Sequence, residues 1–99
     1  MKTLIIVPAY NEAQVIAATL KELRSSLNKA KIAADILVVD DGSSDATGVV
    51  ALQYCDLLLT HRQNCGLGAA LGTGIEYAKR HNYDYCVTFD SDGQHDGAD

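Results

Sequence analysis

The run Thr3 to Val7, TLIIV, is continuously apolar and rich in β-branched side chains, with no alternation of polarity. A strand with one wet face alternates, so an unbroken apolar run marks a strand covered on both faces, as in a parallel sheet between helices. Pro8 closes the run. Three more strand-like runs follow, at Ile36 to Val39, Asp56 to Thr60 and Tyr85 to Phe89, the last read as a short buried strand. Between them the apolar period changes to that of a helix. From Glu12 to about Asn28, Val15, Ile16, Leu20, Leu23 and Leu27 recur at helical spacing. A second helix carries Val49, Val50 and Leu52, with Ser44 or Asp45 as its N-cap and Gly48 as a weak point. A third presents Leu67, Leu71, Ile75 and Ala78 on one face and ends at Arg80, His81 and Asn82.

This alternation predicts right-handed crossovers and an α/β fold: a Rossmann-like parallel sheet with helices on both faces. With the first strand central, and the chain winding one way before returning, the strand order is 3-2-1-4. The switch point then lies between strands 1 and 4. Loops after Val7, Val39 and Phe89 gather there, which brings Tyr10, Asp41 and the pair Asp90 and Asp92 towards one crevice.

The 99 residues allow a single domain, 1–99, and a net charge of −5 with no Lys/Arg cluster argues against a nucleic-acid partner. A phosphate-bearing ligand is expected to arrive with a cation. Cys55, Cys65 and Cys86 are odd in number and lack metal-site spacing, which fits a reducing cytosol rather than a disulfide framework. Leu4 to Val7 is too short for a signal peptide or a membrane span, so the chain as given is expected to be soluble and cytoplasmic.

Two strand ends are acidic. Asp90 and Asp92, followed by Gly93, Gln94 and His95, read either as a solvated turn or as oxygen ligands for Mg²⁺ or Mn²⁺. Asp40 and Asp41, before Gly42, Ser43 and Ser44, read either as a turn and cap or as a ligand contact. Gly66, Gly68, Gly72 and Gly74 do not match GxGxxG, because Leu71 stands where the third glycine belongs, and no Walker A loop exists. Gly66 and Gly68 at a helix start suit phosphate approach, whereas Gly72 and Gly74 suit close helix packing. His61 and His81 fall in connections and read as solvated. His95 reads as a metal neighbour, a contact to a leaving phosphate, or a turn cap.

The stretches IVPAYNE at Ile6 to Glu12, VVDDGSSDAT at Val38 to Thr47, NCGLGAALGTGIEYA at Asn64 to Ala78 and FDSDGQH at Phe89 to His95 resemble the family 2 glycosyltransferases. Their order and spacing are similar to the dolichol- or polyprenyl-phosphate sugar transferase branch. The resemblance covers nearly the whole chain. It implies the GT-A fold, of which this would be the N-terminal, nucleotide-sugar-binding half. It further implies that Pro8, Ala9, Tyr10 and Glu12 lie along the nucleoside, that Asp41 contacts the base, and that the DxD pair Asp90 and Asp92, with Gln94 nearby, meets the cation on the diphosphate. Gly97 stands where members often have proline. The acceptor-binding half, the inverting base and any C-terminal membrane segments would lie beyond Asp99, so no catalytic residue is assigned within the chain. A full-length form would work at the cytoplasmic face of a membrane, passing sugar from a nucleotide-diphosphate donor to a lipid-phosphate or sugar acceptor.

Two other functions compete. Val87 to Gly93 resembles the apolar strand and DxDG of haloacid-dehalogenase-type phosphohydrolases, with Asp90 as nucleophile and Asp92 as acid/base. Against it, Gln94 stands where Thr or Ser is expected, and that motif belongs near a chain's start. A non-catalytic nucleotide-binding or assembly module is the second. An EF-hand is excluded, since His95 replaces the loop glycine and no twelfth-position Glu exists.

Overall fold

The computed structural model describes residues 1–89. The elements alternate as expected: β1 (Thr3–Ala9), α1 (Ile16–Lys29), β2 (Asp35–Asp40), α2 (Thr47–Leu52), β3 (Leu57–Thr60), α3 (Leu67–Arg80) and β4 (Tyr85–Thr88). All neighbouring strands pair parallel, in the order β3-β2-β1-β4. Ala9 is level with Asp40, and Asp40 with Thr60, so three strands end on one line. The loops that follow them therefore start side by side.

β1 runs two residues past the expected boundary, because Pro8 keeps its place opposite Val39. Its side chains split between two cores. Ile5, Val7 and Ala9, with Ile36 and Val38, pack against Ile16, Leu20, Leu23 and Leu27 of α1 and Ala51 of α2. On the other face Leu4, Ile6, Leu37 and Val39 meet Ala70 and Ala78 of α3. Two helices thus cover one face and α3 the other, the distribution that right-handed crossovers require when the chain reverses direction after β3. Each fully buried Leu or Ile contributes roughly 1.5–3 kcal/mol. At the far end of the sheet Tyr83 Oη donates to Asp35 Oδ2 at 2.6 Å, and burial together with that carboxylate pushes the phenol above its ordinary range.

Several local expectations are corrected. β4 is not buried: all four of its residues are exposed, with Tyr85 at 55 % and Val87 at 52 %, because it is an edge strand among the described residues. On α3, Leu67 and Ile75 are exposed, and the buried residues are Ala70, Gly74 and Ala78. The helix lies so close to the sheet that only small residues fit beneath it. A Cβ on Gly74 would fall 2.5 Å from Ile6 Cγ2, whereas one on Gly72 would meet nothing within 4 Å. Gly74 therefore serves close packing and Gly72 does not. α1 begins at Ile16, since residues 12–15 form a turn in which the Val15 and Ile16 amides both bond the Glu12 carbonyl, leaving Val15 exposed. α2 is capped at Ala46 without a side-chain bond, while Asp45 just before it accepts the Thr47 amide at 2.9 Å. Gly48 packs closely, as a Cβ there would lie 2.7 Å from Asp40 Oδ2 and that side chain would have to shift.

Two glycines on one helix give opposed expectations. Gly72→Ala raises stability by about 0.5–1 kcal/mol through helix propensity alone. Gly74→Val lowers it by about 2 kcal/mol or more, since Ile6 is fully buried and the added methyls overpack a closed interface. Urea unfolding of both variants measures the difference.

Candidate functional site

The three loops at the common edge are tied to one another through side chains. Asn11, in the left-handed region at φ 50°, donates its amide to Ser43 Oγ at 2.9 Å, while its Oδ1 accepts the Ser44 amide at 2.8 Å. The Glu12 amide donates to Thr47 Oγ1 at 2.8 Å, and the Ala13 amide to Asp45 Oδ2 at 3.2 Å. Thr47 is fully buried and passes its own hydroxyl hydrogen to Asp45 Oδ1. The loop after β1 is thereby fixed to the loop after β2.

Asp41 fixes the loop after β2 to the loop after β3. Its amide donates to the Ala9 carbonyl at 2.8 Å, and only 4 % of the residue is exposed. Oδ1 accepts the Cys65 amide at 2.9 Å and His61 Nδ1 at 2.8 Å. Oδ2 accepts the Gly66 amide at 2.8 Å and Asn64 Nδ2 at 3.0 Å. Burial pushes the carboxyl up, but the Cys65 amide, the His61 ring and the Gly66 amide together outweigh it and hold the group below its ordinary range. The fit is backbone-tight: a Cβ on Gly42, at φ 73°, would lie 2.3 Å from the Gln63 carbonyl carbon. Gly66 takes φ 101°, a conformation that favours glycine, and so turns its amide to the carboxylate as α3 begins. Asp40, by contrast, serves the turn, accepting the Ser43 amide at 3.1 Å.

Beside this junction lies a pocket of about 280 Å³ lined by Pro8, Ala9, Tyr10, Glu12, Asp41, Asn64, Gly66, Leu67 and Ala70. Its volume is just under that of ordinary small-ligand sites, about 300–1,000 Å³. Of the residues singled out from sequence, Pro8, Ala9, Tyr10, Glu12, Asp41 and Gly66 line it. Gly68 does not; it is exposed on the first turn of α3. Asp90, Asp92, Gln94 and His95 lie outside the described residues. The last described residue, Phe89, donates its amide to the Ile6 carbonyl at 2.9 Å, beside the strand that leads into the pocket. Two carboxylates and no Lys or Arg line the pocket, so it suits an uncharged group with N–H donors better than a bare phosphate.

Asn64, Leu67 and Ala70 complete the wall, and His61 departs from its expected place in solvent. It is not solvated. Its side chain is 17 % exposed, and it bridges Asp41 to Thr73, with Nε2 2.8 Å from Thr73 Oγ1. The only available signal was Asn64-x-Gly66 before a helix; a contact across 20 residues of sequence has none. His81 is exposed as expected, stacked on the Tyr77 ring at 4.0 Å. The three cysteines are free. Asp41, His61 and Cys65 bring ligand-type atoms within 4.8 Å of one another. Their nitrogen and sulfur donors suit softer ions than Mg²⁺, and the Asp41 and His61 atoms are already hydrogen-bonded, so this cluster is no site for a hard cation.

A parallel 3-2-1-4 sheet with its pocket outside the strand ends defines a ligand-binding α/β domain. Residues 4–99 match the family model Glycosyl transferase family 2, and the chain belongs to that family. It is 36 % identical to an undecaprenyl-phosphate mannosyltransferase of Micrococcus luteus, over 96 % of this chain and 40 % of that protein. It is 38 % identical to a polyprenol monophosphomannose synthase of Mycolicibacterium smegmatis, over 95 % of this chain and 36 % of that one. An uncharacterized protein of Methanocaldococcus jannaschii is 44 % identical, over 92 % of this chain and 35 % of its own length. The chain thus spans only between about a third and two fifths of these relatives. The family match favours the glycosyltransferase reading over the phosphohydrolase one. No helix among the described residues is long and apolar enough to cross a membrane.

Asp41 gives a pH prediction. Its acidity is raised on folding, so its stabilisation is present above the unfolded carboxyl value near 3.9 and is lost as pH falls through the lower folded value. Asp41→Asn, which cannot accept all four donors, is expected to lose about 1–3 kcal/mol at neutral pH. Its stability should also fall less than that of the native chain on acidification below about pH 4. Urea midpoints across that range test both statements.

Proposed function

We propose that this chain is the nucleotide-sugar-binding part of a glycosyltransferase that moves a sugar from a nucleotide-diphosphate donor to a polyprenyl-phosphate-type acceptor. The observation that carries the reading is the acidic pocket around Asp41, walled by the Pro8 to Glu12 loop and by the start of α3, in a chain of this family. The nucleoside takes the pocket. Its base meets Asp41, and Pro8, Ala9, Tyr10 and Glu12 run along its length. The names of the mannosyltransferase and synthase relatives support a lipid-phosphate acceptor. Acceptor binding and the base that activates the acceptor belong to residues outside 1–99, and a full-length form acts at the cytoplasmic face of a membrane.

Asp90 and Asp92, with Gln94, hold Mg²⁺ or Mn²⁺ in this reading; paired carboxylates are the hard oxygen donors these ions prefer. When bound, the ion stabilises the negative charge that builds on the departing diphosphate as a Lewis acid. The pocket contributes none of that charge neutralisation, since no cationic side chain lines it. Attack by an acceptor oxygen without a covalent intermediate inverts the anomeric carbon.

Calorimetry with UDP and GDP, with and without Mn²⁺, tests the proposal. Binding that requires the metal is the expected result, and equal affinity after chelation contradicts it. Asp92→Asn separates a cation ligand from a turn residue. The variant should keep the unliganded melting temperature yet lose the metal-dependent stabilisation by nucleotide, about 2.7 kcal/mol at a hundredfold excess over the dissociation constant. A melt that still responds to Mn²⁺ and nucleotide like the native chain would make Asp92 a turn residue.

A further inference from the structure

His61 stands outside the pocket wall, yet it touches the one buried carboxylate inside it. An ionised carboxylate only accepts hydrogen bonds, so Nδ1 must carry the hydrogen given to Asp41 Oδ1. On the other side of the ring, Nε2 meets the Thr73 hydroxyl, which can rotate to donate or to accept. The ring is therefore held at both nitrogens. Because Thr73 lies on α3 and Asp41 follows β2, His61 forms a strut between the helix and the loop.

The four donors to Asp41 differ in how readily they can be replaced. The Cys65 and Gly66 amides are backbone and cannot leave without unwinding the loop. His61 is braced from behind. Asn64 is an exposed side chain that itself lines the pocket, and its other contact, to the Asp41 carbonyl, is a long 3.4 Å. Oδ1 is thus the anchored oxygen, and Oδ2 is the one whose Asn64 donor a ligand N–H can replace.

We infer that His61 is a positioning residue: it locks Asp41 Oδ1 so that Oδ2 faces the pocket as a fixed acceptor, and it thereby selects bases that present a ring N–H. The inference rests on the nucleotide reading proposed above. Uracil at N3 and guanine at N1 carry such a hydrogen. Cytosine and adenine present a bare nitrogen at the matching position, and a carboxylate facing it would lose its donor and meet a lone pair. Without the strut Oδ1 keeps only the Cys65 amide, so the carboxylate is held less firmly and the distinction weakens.

The test is calorimetry of UDP against CDP, and GDP against ADP, each with Mn²⁺, on the native chain, His61→Ala, His61→Asn and Thr73→Val. The native chain should prefer a ring N–H base by about ten- to a hundredfold, the range of one charge-assisted hydrogen bond. His61→Ala should lower that ratio by about threefold or more. His61→Asn, whose amide can still donate towards Oδ1, should restore most of it, and Thr73→Val should lose part of it. A native ratio retained in His61→Ala overturns the inference, as does an equal loss of affinity for all nucleotides, which would mark a purely structural role. Should His61→Ala fail to fold, Thr73→Val carries the test, and an unchanged ratio there overturns the inference. A native chain that binds nucleotides without discriminating also overturns it, while leaving the nucleotide reading intact. A native chain that binds none of them overturns both.

Discussion

A buried carboxylate that stays ionised needs donors, and Asp41 finds them on a loop that is not its own. The Cys65 and Gly66 amides, the His61 ring and the Asn64 amide all come from the connection after β3, whereas Asp41 follows β2. The cost of burying the charge is offset only if both loops hold their places, so the interaction couples them. The Ala9 carbonyl, which accepts the Asp41 amide, and the pairing of Asn11, Glu12 and Ala13 with the Ser43 to Thr47 stretch extend that coupling to the loop after β1. The pocket is the space these coupled loops leave open.

The sheet makes this possible by ending β1, β2 and β3 on one line. Close approach of α3 follows from Gly74 lying on Ile6, which brings Gly66 and Thr73 within reach of the loop side chains. Fold and site therefore share residues. Loss of the small face of α3 would loosen the core and the pocket wall together, since Ala70 belongs to both.

Much of this was legible in the sequence because it depends on local pattern. Unbroken apolar runs such as Leu4 to Val7 identify strands covered on both faces, and their alternation with helical periods leads to the 3-2-1-4 order. The proline-tyrosine loop and Asp41, which line the pocket, were legible as candidate site residues through a resemblance carried by several ordered motifs. Burial on α3 was not, because periodicity ranks large apolar residues such as Leu67 and Ile75 above the Ala70 and Gly74 that actually touch the sheet. An apolar strand reads the same at an edge as at a centre, so the exposure of Tyr85 and Val87 had no local signal. His61 was hidden for a third reason. Its two partners lie 20 and 12 residues away, and only the folded loops bring them together.

The central claim is that the loops joined by Asp41 form a nucleoside pocket. An NMR titration of the chain with UDP and GDP in the presence of Mg²⁺, followed through backbone amides, tests it most directly. The account predicts saturable shifts at Ala9, Tyr10, Glu12, Asp41, Asn64 and Gly66, with the opposite end of the sheet around Asp35 and Tyr83 unchanged. Shifts that miss the Asp41 junction, or no saturable shift with either nucleotide, would contradict it.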